Sequence, residues 1–184
     1  MIGKVYGIPP QPPVAENTRY FPAGNLSIGV EYRDLDPEGL VETYKDDAAH
    51  LAELLERSPE GGFSDEGVSL HVCGSEDGHE YIRFDVFLTE PHYHYNHRGE
   101  QIVNNVIDFD VAAHGDMLPW ALGCIRSRLD TMLPQAGGDY LVAGLDPDAI
   151  ASALEQIEPL ADRAQAAARA RQAAAGDDPG GPRT

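Results

Sequence analysis

The sequence predicts an α+β fold: an antiparallel sheet of about four strands with two to three helices packed on one face. Three observations carry this expectation. Apolar residues alternate with polar ones at Leu26, Ile28, Val30 and Tyr32, at Val68, Leu70 and Val72, and at Ile82, Phe84, Val86 and Leu88, which is the period of half-buried strands. Turn residues follow two of these runs, at Gly74–Gly78 and Asn96–Gly99. Asp36-Pro37-Glu38 and Asp146-Pro147 each place a capping carboxylate before a proline that suits the first helical position.

Taken in chain order, residues 1–25 form a proline-rich arm, with Pro9, Pro10, Pro12, Pro13 and Pro22 fixing φ and favouring an extended path. Such an arm wraps its own domain or a neighbouring subunit. The run from Leu26 to Tyr32 is a strand, and Asp36 starts a helix that reaches about Arg57 before Ser58-Pro59 and Gly61-Gly62. Strands follow at residues 68–73 and from Glu80, the latter continuing towards His94, with a return strand at 103–111. Asp116 caps a second helix through Met132, and residues 139–143 suit a further short strand. Residues 26–145 therefore make one α+β domain. Residues 146–175 form a C-terminal helical extension, interrupted or kinked at Pro159, and rich in alanine beyond it. Residues 176–184 have the composition of a disordered tail.

The chain has 184 residues and a net charge of -18, and its acidic excess is concentrated in residues 31–90. Nucleic acids and anionic membranes demand a basic face, so neither is an expected partner. Cys73 and Cys124 are too few for a disulfide scaffold and read as core thiols of a reducing compartment. The first residues lack a basic stretch followed by an apolar one, and no run approaches the length of a bilayer span. The expected location is the cytoplasm. The Ser-His-Asp, GxSxG, HExxH, Walker and GxGxxG patterns are not found.

The segment Glu90-Pro-His-Tyr-His-Tyr-Asn-His-Arg-Gly-Glu100 carries the chemistry. If one strand runs from Ile82 to His94, its apolar row continues into Glu90, His92 and His94, because residues two apart share a face. Pairing residues whose numbers sum to 197 sets His92 against Asn105 and His94 against Val103. That register expects a polar cluster of Glu90, His92, His94 and Asn105 at one end of the apolar face. Polar groups there are costly unless paired, ligated or opened to a pocket. Two imidazoles at i and i+2 with a carboxylate form a two-histidine, one-carboxylate set for a transition-metal ion: zinc, iron, manganese or copper. The metal ligands expected are His92 and His94 with Glu90 or Glu100. His97 at the turn and His114 before the second helix serve as auxiliary ligands or catalytic bases, and Asn105 contributes to cofactor binding. The spacing is similar to the cupin pattern, in which three or four residues separate His-x-His from a glutamate. Those places hold Arg98 and Gly99 here, Glu100 comes one residue late, and no second cupin motif follows.

Two functional readings follow. In the first, this is a small metal-binding protein, with a metal-dependent enzyme acting on a small molecule as its sharper form. In the second, it is a non-catalytic accessory or assembly subunit, with the Tyr93/Tyr95 and His92/His94 hairpin and the terminal extensions as contacts to another protein subunit. The arm and the low-bulk C-terminal helix both favour a homo-oligomer. His71 and Cys73 read as structural or exposed, and His79 as a turn residue. Asp46, Asp47 and His50 read as surface groups.

Overall fold

A computed structural model describes residues 3–7, 9–45, 51–52, 64–99 and 103–176. Seven strands form one antiparallel sheet: β1 (Lys4–Tyr6), β2 (Thr18–Ala23), β3 (Leu26–Leu35), β4 (Asp65–Gly74), β5 (Glu80–Phe87), β6 (His92–His97) and β7 (Val103–Asp108). Their order is β1-β7-β6-β5-β4-β3-β2. The described residues also include six α-helices: α1 (Pro37–Tyr44), α2 (Val111–His114), α3 (Met117–Ser127), α4 (Leu129–Met132), α5 (Asp139–Val142) and α6 (Pro147–Gly176). The expectation of four strands and two to three helices is therefore corrected. Three departures account for most of the difference. The proline-rich arm contains both edge strands, the long strand from Glu80 breaks into β5 and β6, and residues 139–142 form helix α5 rather than a strand.

Alternation sorts the sheet into two faces. Ile28, Val30, Leu70, Val72, Ile82, Phe84 and Val86 lie on the apolar face and are buried. Helices α3 and α6 cover that face through Ile125, Leu154 and Ile157. Helix α6 runs through Pro159 without interruption. Its packing on both sides of the proline, through Leu154 and Ile157 before it and Ala161 and Ala168 after it, offsets the lost backbone bond, which costs about 3 kcal/mol in a helix interior. The small alanines let the helix approach the sheet closely. Gln165 stitches it there, accepting from the Val68 amide at 3.2 Å and donating to the Val86 carbonyl at 3.0 Å.

The opposite face is polar and also buried. Glu31, Arg33, Ser69, His71, Arg83, Asp85, His94, Asn96 and Asn104 all lie on it. The chain between Tyr6 and Thr18 must pass from one edge of the sheet to the other, six strand spacings or about 29 Å. An extended proline-rich run of this length covers that distance at about 3.1 Å per residue. The strap is held by groups of the polar face. Arg83 donates to the Gln11 carbonyl at 2.8 Å, Arg33 donates to the Pro12 carbonyl at 3.1 Å, and the Val14 amide donates to Glu31 at 2.7 Å.

Helix α1 begins as expected, with the Asp36 carboxylate accepting from the Gly39 amide at 2.8 Å. It sits beside the strap rather than on the apolar face. The Tyr44 hydroxyl donates to the Pro9 carbonyl at 3.1 Å, and Gln11 donates to Thr43 at 3.0 Å. Leu51 and Ala52 are helical as expected; residues 46–50 and 53–57 of the expected continuation to Arg57, the turn at residues 58–62 and the tail 177–184 lie outside the described residues.

Candidate metal centre

The site depends on how the chain turns between β5 and β6. The Asp65 carboxylate, reaching from β4, accepts from the amides of Leu88 at 3.1 Å, Thr89 at 3.1 Å and Glu90 at 2.8 Å. This collects the Thr89 and Glu90 donors, which a tight turn would otherwise leave unpaired, and reinforces Leu88, whose amide also donates to the Glu66 carbonyl at 3.1 Å. β6 then runs back along β5 with Ile82 opposite Tyr95, Phe84 opposite Tyr93 and Asp85 opposite His92. Even-numbered residues of β5 therefore share a face with odd-numbered residues of β6. Tyr93 and Tyr95 take the apolar face, and His92 and His94 the polar one.

This corrects the expected single strand and its register. β6 pairs with β7 as His92 with Asp108, His94 with Val106 and Asn96 with Asn104. Asn104 thus lies on the histidine face, and Asn105 on the other.

The turn delivers both imidazoles to Asp85. The Nε2 atom of His94 lies 2.9 Å from Asp85 Oδ2, and that of His92 lies 3.4 Å from the same oxygen. The three ligand atoms lie within 4.8 Å of one another, so this group could hold a metal ion. The two rings meet edge to face, with centroids 4.9 Å apart. Asp85 and His94 are buried, and His92 is partly exposed.

The remaining atoms of these side chains are already engaged. His92 Nδ1 lies 2.7 Å from the Glu90 carbonyl oxygen, which can only accept, so Nδ1 carries the proton. His94 Nδ1 donates in the same way to Asn104 Oδ1 at 2.8 Å. Ser69 donates to Asp85 Oδ1, leaving Oδ2 to face the histidines. Outer hydrogen bonds of this kind fix the tautomer and orientation of metal-ligating histidines.

The electrostatics show how tightly the three groups are coupled. Burial works to raise the Asp85 pKa, yet His92, His94 and Arg83 hold it well below the ordinary carboxylate value. Burial also opposes charge on His92, but the Asp85 carboxylate reverses the effect and raises its pKa. For His94 burial prevails, assisted by the neighbouring His92, and its pKa is lowered despite Asp85. The same carboxylate thus outweighs burial at His92 but not at His94.

The other expected site residues are distributed around the hairpin. Glu90 contributes its backbone carbonyl to His92, and the carboxylate of the cluster belongs to Asp85. His97 and Asn105 pair with each other at 3.0 Å on the helix side of the sheet. His114 ends α2, its ring 5.6 Å from Phe109 and 6.3 Å from Trp120. Glu100 lies outside the described residues.

A second buried ionic group lies beside the cluster, around His71, expected only as a structural or exposed residue. His71 sits between Glu31, 3.0 Å from its Nε2, and Glu80, which meets its Nδ1. Glu80 also pairs with Arg83 through two hydrogen bonds, at 3.0 and 2.7 Å. The signal for this network was the polar alternation of β3, β4 and β5, which places Glu31, His71 and Arg83 on one face.

A seven-stranded antiparallel sheet with one helix-covered face and a polar face bearing an Asp/His/His cluster defines the class of protein. The chain belongs to the family described as a domain of unknown function, DUF7700, which matches residues 20–161. No curated protein and no solved structure matches it. Among the described residues, no helix is long and apolar enough to cross a membrane.

Proposed function

We propose that this is a metal-binding protein in which Asp85, His92 and His94 hold one transition-metal ion. The supporting observation is the convergence of two imidazole Nε2 atoms on Asp85 Oδ2, with both Nδ1 protons directed elsewhere. A lone pair facing a carboxylate oxygen at 2.9 Å repels it unless a proton or a cation lies between them. Three ligands of this type suit zinc with an open fourth position, or iron(II) with several open positions. Open positions are what a metal-dependent enzyme acting on a small molecule requires, and that is the sharper form of the proposal. The partly exposed His92 gives the side from which a small molecule would approach.

Elemental analysis of protein purified without an affinity tag tests the proposal. The expected result is about one transition-metal ion per chain, lost in the Asp85→Asn and His92→Ala/His94→Ala variants. Unchanged metal content in those variants, or no uptake of zinc or iron(II) by the wild-type protein, overturns it.

A further inference from the structure

We propose that a second cleft, on the helix side of the sheet, binds a small aromatic monocarboxylate. This inference is independent of the metal proposal, because the cleft opens on the other face of β6. Its volume is about 470 Å³, and Tyr93, Tyr95, Trp120, Cys124, Arg128 and Asp130 are among the residues that line it. That is within the range of small-molecule sites and more than enough for an aromatic ring with its substituent.

The aromatic walls stand at large angles to one another. Tyr93 and Tyr95 are 5.6 Å apart at 86°, and Tyr93 and Trp120 are 5.4 Å apart at 49°. All three rings are only partly buried, so they leave aromatic surface facing the cleft. A planar ring can meet such walls by offset stacking and by edge contact at once.

The charge in the cleft selects the substituent. Carboxylates outnumber basic side chains by 31 to 13 in this chain, and Arg33, Arg83, Arg98, Arg126, Arg169 and Arg171 each pair with one. Arg128, like Arg19 and Arg163, makes no ion pair among the described residues, and of these three only Arg128 lines the cleft. It lies at the end of α3, exposed, close enough for its charge to be felt by the Cys124 thiol. A guanidinium fork matches a carboxylate in geometry and charge. Burial pushes the Tyr95 phenol up to about 12, so it stays a neutral donor beside that anion. Asp130 at the same cleft repels a dianion more strongly than a monoanion, which favours carboxylate over phosphate. A cationic ligand would have to lie against Arg128.

Trp120 is the only tryptophan in the chain, so the tryptophan fluorescence comes from a wall of this cleft. The experiment titrates the full-length protein with benzoate, with benzamide as the uncharged isostere, and with phenyltrimethylammonium as the cation. Benzoate is expected to give a saturable change in Trp120 emission. Benzamide binding to wild type and benzoate binding to Arg128→Met should each be at least about tenfold weaker, the loss of one charge-assisted pair. The comparison with benzamide needs no variant and so stands even if the substitution perturbs folding. The proposal is overturned by the absence of a saturable benzoate response, by benzamide binding equally well, by unchanged affinity in a folded Arg128→Met, or by preference for the cation.

Discussion

His94 Nε2 lies 2.9 Å from Asp85 Oδ2 while its Nδ1 proton is donated to Asn104 Oδ1. In the neutral ring this places a lone pair against a carboxylate oxygen, a contact that only a proton or a cation makes attractive. The histidine pair therefore competes for protons and for metal at one point. Arg83, directly opposite His94 across the strands, adds positive charge to the same carboxylate. Metal binding should release protons from this cluster, because ligation needs neutral imidazole.

The first prediction concerns stability. Zinc at a free concentration about 100 times its dissociation constant should stabilise the wild-type protein by about 2.7 kcal/mol, seen as a rise in Tm. Asp85→Asn and His92→Ala/His94→Ala should show little of that rise. An equal gain in wild type and variants would place the binding elsewhere.

Asn104 is expected to act as a positioning residue. Asn104→Leu removes the acceptor that fixes the His94 tautomer, and metal affinity should fall by about 10- to 100-fold. Competition with a chromophoric chelator measures the affinity directly. A variant that stays folded and binds as tightly as wild type would show that the His94 orientation is set by other contacts.

Asp65 links the fold to the site. Its carboxylate gathers the Leu88, Thr89 and Glu90 amides, so Asp65→Ala should cost about 2–4 kcal/mol in urea unfolding. The same change should weaken metal binding, since this turn delivers β6 to β5. Loss of stability with unaltered affinity would separate the turn from the ligand geometry.

The pH prediction rests on His71. Burial opposes its charge, but hydrogen bonds to Glu31 and Glu80 raise its pKa above 6.5. The folded state thus holds this proton more tightly than the unfolded state. The resulting stabilisation is fully present below 6.5 and is lost as pH rises through the raised folded-state value. Glu80 acts in the other direction: burial would raise its pKa, yet Arg83 and His71 bring it down to about 2. Its contribution is present above its unfolded value of 4.5 and is lost as pH falls towards 2. Urea unfolding across the neutral to alkaline range should show wild type losing stability where His71→Gln does not. Parallel profiles would mean that the His71 ring is already neutral.

The sequence by itself determined the faces of β3, β4, β5 and β7 and several helix starts. Alternation located β3, β4, β7 and the start of β5 to within a few residues, because side chains of a strand must point alternately whatever lies around it. Asp36 and Asp116 mark helix starts because their caps are local contacts. His92 and His94 were placed side by side by the same local geometry.

Tertiary structure decided which carboxylate they meet. Parity across a turn depends on its length and hydrogen bonding, and here the turn is held by Asp65, more than twenty residues away in sequence. The reversal moves both histidines from the expected apolar face to the polar one, brings Asp85 to them, and exchanges Asn105 for Asn104. The edge strands were equally hidden, because Lys4–Tyr6 and Thr18–Ala23 lack clean alternation and become strands by pairing with β7 and β3. Strand periodicity is a property of neighbouring residues, whereas the meeting of His94 with Asp85 depends on a fold-back that only distant contacts can fix.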